Sequence, residues 1–136
     1  MSYGVSTALQ TAVFQQLSSD ATLAGLVGPA IYDALPNGTL PDTYVLLGAE
    51  VTNDASDGTG GGAWHRLTVS VISEEAGFHT AKSAAAAIND ALVDAPLTLT
   101  RGHLVALHFF RARAVREDTG DTRRIDIIFR ARVDDT

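Results

Sequence analysis

The chain has 136 residues, 46% of them hydrophobic and 19% charged, with a formal net charge of -6. This is a globular composition, long enough for one domain over residues 1–136 that buries roughly two-thirds of its unfolded surface. The acidic balance weighs against attachment to nucleic acid mainly through phosphate contacts, and the absence of cysteine excludes disulfides, thiol nucleophiles and thiolate metal sites.

Val5, Leu9, Ala12, Val13 and Leu17 recur at helical spacing and predict a first amphipathic helix over about residues 4–18. Ser19 or Asp20 can cap a short second helix that Gly28 and Pro29 stop. Ile31 and Tyr32 suit a brief strand, and Tyr44 to Val51 is an apolar run bounded by turn signals, best read as another. Thr52 to Gly62 holds four glycines, two aspartates and an asparagine, and is expected to be a flexible loop. It lacks the spacing of a phosphate cradle. Trp64 to Ser73 alternates, with Leu67, Val69 and Val71 on one side and Arg66, Thr68 and Ser70 on the other. Phe78, Ala81, Ala85, Ile88 and Leu92 then mark a helix over about 77–94.

Two alternating strands close the chain, Leu104 to Glu117 and Arg123 to Val133, joined across Asp118 to Asp121. With that turn, Arg113 lies opposite Asp126 and Phe110 opposite Phe129. One face would carry Ala106, His108, Phe110, Ala112 and Ala114 against Ile125, Ile127, Phe129, Ala131 and Val133, as a core face with room for a helix. The order of elements predicts an α+β fold: an antiparallel or mixed sheet with helices on one face and a C-terminal β-hairpin.

Charge is divided along the chain. Residues 1–100 hold Arg66 and Lys82 against ten acids, whereas residues 101–136 hold eight arginines against six acids. The second hairpin face would mix Phe109, Arg111 and Arg113 with Ile128, Arg130 and Arg132. Arginine combines stacking area with a fork of donors, so such a face suits an interface. The plainer alternative is a solvated sheet whose arginine stems cover scattered apolar residues.

Catalytic chemistry finds little footing. The four histidines show no HExxH pair and no carboxylates at ligand spacing, so no metal is expected. A GxSxG elbow is absent. Glu74 and Glu75 could form an acid and base pair, but acids just before a helix are explained by its dipole. Trp64 could stack on a base or simply anchor the core. No apolar run approaches the length of about 18 residues needed for a membrane helix, and Met1 to Gly4 shows no signal-peptide pattern. A soluble protein made in the cytoplasm is expected, with no enzyme activity and no cofactor.

Several stretches taken together resemble the tail-terminator, or tail-completion, proteins of long-tailed phages and gene transfer agents. These are an N-terminal helix followed by Asp20-Ala21-Thr22-Leu23-Ala24-Gly25-Leu26-Val27-Gly28 and Ile31-Tyr32, then Pro41-Asp42-Thr43-Tyr44-Val45-Leu46-Leu47-Gly48. Trp64 to Ser73 resembles the family's central strand, with Ile72 where an aromatic is common. Gly77, the alanine-rich helix and the hairpin ending Phe129-Arg130-Ala131-Arg132 complete a likeness that covers nearly the whole chain and is nearest to a gene transfer agent tail protein.

The resemblance implies a structural virion protein in the tail and neck region. It would form a hexameric ring at the head-proximal end of the tail tube, ending tube growth and meeting a head-side connector or stopper protein. Its partners would be copies of itself, the tail tube protein and that connector. DNA would pass through the lumen without specific binding, and no membrane is involved. Phe109, Arg111, Arg113, Ile128, Arg130 and Arg132 are the candidate interface residues. Asn53, Asp54, Asp57 and Trp64 are candidate contacts of the glycine-rich loop. The alternatives are a head-completion or connector adaptor of the same particle, a small cytoplasmic binding or enzymatic domain, and a nucleic-acid adaptor using the arginine hairpin.

Overall fold

A computed structural model describes residues 3–54, 62–117 and 122–135. The elements run α1 (Ser6–Ser18), α2 (Ala21–Val27), β1 (Ile31–Tyr32), β2 (Thr43–Asp54), β3 (Gly62–Ser73), α3 (His79–Leu92), β4 (His103–Arg116) and β5 (Arg123–Asp134). The five strands form one mixed sheet in the order β1-β2-β3-β5-β4. Only β1 and β2 are parallel. The remaining pairs, including the β4–β5 hairpin, are antiparallel, as the α+β expectation requires.

Local chemistry accounts for the helix boundaries. The Asp20 carboxylate accepts from the Leu23 amide at 2.9 Å, capping α2. Gly28 ends that helix at φ 59°, a left-handed conformation that glycine adopts without a Cβ clash. In α3 the buried stripe of Ala81, Ala84, Ala87, Ile88, Ala91 and Leu92 repeats at helical spacing, and its small residues let the helix lie close to the sheet.

All three helices share one side of the sheet. The core lies between, with Leu9, Val13, Leu17, Ile88 and Leu92 from the helices against Val45, Val69, Val71, Ile127 and Phe129 from the strands. On β5 the alternation is strict: Ile125, Ile127, Phe129, Ala131 and Val133 are buried and the residues between them half-buried. Among the described residues the opposite side of the sheet bears no helix.

The loop expected over 52–62 is shorter than its composition suggests. Thr52, Asn53 and Asp54 pair with His65, Trp64 and Ala63, so both strands run into that stretch. Residues 55–61 and the hairpin turn at 118–121 lie outside the described residues. Among the described residues, no helix is long and apolar enough to cross a membrane.

Candidate functional site

The helix-free face is assembled by strand register. Directly paired residues in an antiparallel sheet point to the same side. Trp64 therefore sits beside Arg132, Arg66 beside Arg130, and Thr68 beside Ile128, all opposite in parity to the buried residues of β5. The Arg130 guanidinium lies 4.2 Å from the Trp64 ring centroid and 5.8 Å from that of Phe110. Arg66 lies 4.6 Å over Phe110, and Arg132 lies 5.9 Å from Trp64. Cations and rings thus alternate across three strands, each contact contributing roughly 0.5–2 kcal/mol according to its desolvation.

Charge is uneven along this face. Asp126 accepts from the Ser70 hydroxyl at 2.5 Å and from Arg124 Nε at 2.9 Å, so the end near Arg124 is locally compensated. Arg66 and Arg130 have no carboxylate partner among the described residues, and Arg130 Nε is shut from solvent without an acceptor there. The face is a strip of positive charge set among aromatic rings. Its chemistry is recognition of carboxylates or phosphates by forked donors.

Five of the six interface residues expected from sequence lie on this face: Arg111, Arg113, Ile128, Arg130 and Arg132. Phe109 does not. It pairs with Phe129 on the helix side, its ring edge-on to Phe129 at 6.5 Å between centroids. The cause is a pair of β-bulges in β4, between Leu104 and Ala106 and between Phe109 and Arg111. Each adds a residue to one strand only, and a one-residue slip exchanges the two faces. Between the bulges Leu107 points inward and is buried, while Ala106 and His108 pair with Arg132 and Arg130 on the open side. The expected core positions of Ala106, His108 and Phe110 are therefore reversed, and Phe110 takes the place in the arginine face first given to Phe109. Beyond the second bulge Ala112 and Ala114 face the helix side and Arg113 lies opposite Asp126, as expected.

Of the loop positions, Asn53 pairs with Trp64 and Asp54 with Ala63 at the sheet's end. Asp57 lies outside the described residues.

One buried polar group has no counterpart in the sequence reading. His65 is fully buried on the core side, where its Nδ1 donates to Glu50 Oε2 at 3.1 Å and lies 3.2 Å from the Thr52 hydroxyl. Ser6 donates to the other Glu50 oxygen at 2.7 Å, and the Tyr3 ring stacks on the imidazole at 6.4 Å. His65 Nε2 has no hydrogen-bond partner among the described residues. The arrangement ties the start of α1 to β2 and β3. Its position was readable, since residue 65 shares parity with Leu67, Val69 and Val71.

No group of His, Asp and Glu among the described residues could hold a metal ion. Glu75 accepts from the Thr43 hydroxyl at 3.0 Å, and its amide donates to the Ser73 hydroxyl at 3.2 Å, so it braces the turn into α3.

Residues 11–134 match the family described as tail completion protein gp17. A solved chain from the virion of a native gene transfer agent particle is 60% identical, covering 98% of this chain and 99% of that one, with a TM-score of 0.94. Comparison with curated proteins finds no match. Both matches make the protein a structural part of tail assembly, and the chain belongs to the tail completion protein family.

Proposed function

We propose that this protein closes the head-proximal end of a tail tube as a hexameric ring in a gene transfer agent or related particle. In that position it ends tube growth and joins the tube to the head-side connector or stopper. The whole chain acts as one folded unit. The observation that carries this reading is the arginine and aromatic face beside the tail completion relationship. Arg66, Arg111, Arg113 and Arg130 present forks to a neighbouring subunit or to the ring stacked above or below. Rings already folded can then join by matching shape and charge, without a chemical step.

The net charge of -6 suits a conduit. An acidic ring repels the DNA backbone, so DNA passes through the lumen without sticking. Subunits in such a ring meet head-to-tail through unlike patches, and closure limits their number. Asn53, Asp54 and Trp64, at the sheet's end, stand where the glycine-rich segment would contact the tube or connector.

Native mass spectrometry of the protein, alone and with its tail tube partner, tests the ring. A closed hexamer in either sample is expected. A persistent monomer or dimer in both would refute it and favour a connector adaptor. The face has its own test: Arg111→Glu with Arg130→Glu should abolish tail joining in a particle-assembly assay. Joining at the parent's level would show that this face is not the contact.

A further inference from the structure

The sheet has two unfinished edges, and they are unlike. At one end β4 is the edge strand for its full length. The segment after α3 closes that edge at one point, where the Asp94 amide donates to the Leu107 carbonyl at 3.0 Å. From Phe109 to Arg116 the outer edge has no strand partner among the described residues. The helix side of this segment is only partly covered, since Ala85, Ala86 and Asn89 of α3 border an open groove with Phe109, Ala112 and Ile127. Phe109 is 49% exposed, and Ala112 and Ala114 are exposed although their partners Ile127 and Ile125 are buried. Arg111, Arg113 and Arg116 line the same strand.

At the other end β1 covers β2 only at Val45 and Leu46. Leu47 to Asp54 form a second open edge among the described residues. Beside it α1 exposes Phe14 over a groove formed with Gln10, Thr11, Asp33 and Leu47. This flank has the opposite charge. No Lys or Arg precedes Arg66 anywhere in the chain, while Asp33, Glu50 and Asp54 lie on this flank.

We infer that β4 of one subunit lies along the open edge of β2 in the next subunit, so that the sheet continues across the junction. The neighbour's α1, with Phe14 at its margin, covers Phe109, Ala112 and Ala114. This rests on the ring reading above and specifies its subunit contact. Three features point to a second copy as the occupant: strand edges of similar length, an exposed apolar strip that α3 only borders opposite a helix beside an open groove, and a cationic edge opposite one without cations. Strand addition supplies main-chain hydrogen bonds, and the arginines set which edge is accepted. The contact is head-to-tail, since the two patches differ. It also leaves Trp64, Arg66 and Arg130, on β3 and β5, for the ring stacked next to it.

Two variants of exposed residues test the inference, Ala112→Glu on the β4 flank and Phe14→Glu on the α1 flank. Each puts a carboxylate where the neighbour should pack, on a site the single subunit leaves open, and thermal melting near the parent's confirms folding. In the condition where the parent forms its ring, each variant alone should be monomeric. An equal mixture should give a dimer of one copy of each and nothing larger, because only one intact pair of flanks remains. Rings from either variant alone, or no dimer in the mixture, would overturn the edge contact while leaving the ring standing. A parent that forms no ring would overturn the ring reading and this inference together.

Discussion

The stack of Arg130 on Trp64 can be measured without any partner. At 4.2 Å it is the shortest cation–ring distance on the face, Trp is the strongest of the aromatic faces, and Arg130 is half-buried. Those conditions lie between the exposed and desolvated limits, so the pair should contribute about 1 kcal/mol of coupling. Arg132 addresses the same ring from 5.9 Å and should couple at about half that or less. The experiment is a double-mutant cycle with Trp64→Leu and Arg130→Met, which retain apolar bulk while removing the ring and the charge. A second cycle uses Arg132→Met. Urea unfolding should be followed by far-ultraviolet circular dichroism, because Trp64 is the only tryptophan and its fluorescence is lost in the variants. The energy should persist at high salt, since a partly desolvated contact is screened weakly. Coupling below about 0.3 kcal/mol, the usual error of additivity, would refute the reasoning. The arginines would then be loose cover over apolar residues, with no fork held ready for a partner.

Three further outcomes follow from the fold. Phe129 is the largest fully buried side chain, and Phe129→Ala should cost about 3–5 kcal/mol of unfolding free energy by denaturant titration; a loss under about 1.5 would mean a looser core. Burial raises the Tyr44 hydroxyl above its ordinary value, opposed by Arg124, so the unfolded chain ionises first as pH rises. Stability should therefore fall above about pH 10, and Tyr44→Phe should flatten that decline in urea midpoints measured from pH 9 to 11. Gly102 has φ 74°, and a Cβ there would stand 2.5 Å from the Asp134 carbonyl oxygen; Gly102→Ala should lower the thermal midpoint by several degrees, and an unchanged midpoint would contradict that crowding.

How much of this was legible in the sequence depended on local contrast. In β5 every second residue is strongly apolar and the others are charged or flank charges, so the buried set could be assigned residue by residue. Trp64 to Ser73 gave similar contrast, and its parity extended to His65. The first half of β4 gave none. Leu104, Val105, Ala106, Leu107, Phe109 and Phe110 are all apolar, so either parity was acceptable and no residue marked the bulges. The misplacement of Phe109 and the omission of Phe110 follow from that. The ends of β2 and β3 were missed for another reason. Asparagine, aspartate and glycine disfavour strands intrinsically, yet pairing with the facing strand holds Thr52 to Asp54 extended. Arg66, remote from the C-terminal arginine cluster in sequence, joined the face only once β3 was known to lie beside β5.

The second bulge also decides which of two neighbouring phenylalanines joins the arginines. Regular alternation would place Phe109 and Phe110 on opposite sides but would carry that parity unbroken into the arginines. With one residue added, Phe110 joins Arg66 and Arg130 on the open face, while Phe109 remains above the core beside Ala112. A long edge strand with an apolar strip is ordinarily an aggregation hazard. Here charge and irregularity both act against indiscriminate pairing. Arg111, Arg113 and Arg116 put like charges on a second β4 edge, which disfavours the joining of two identical edges. The bulges interrupt the even ladder that a foreign strand would need. An edge flanked by aspartate and glutamate escapes the charge penalty, and the chain carries such an edge at its own far end. On the edge contact inferred above, the arginines would act before assembly as well as during it, reserving the open edge for a surface that carries the opposite charge.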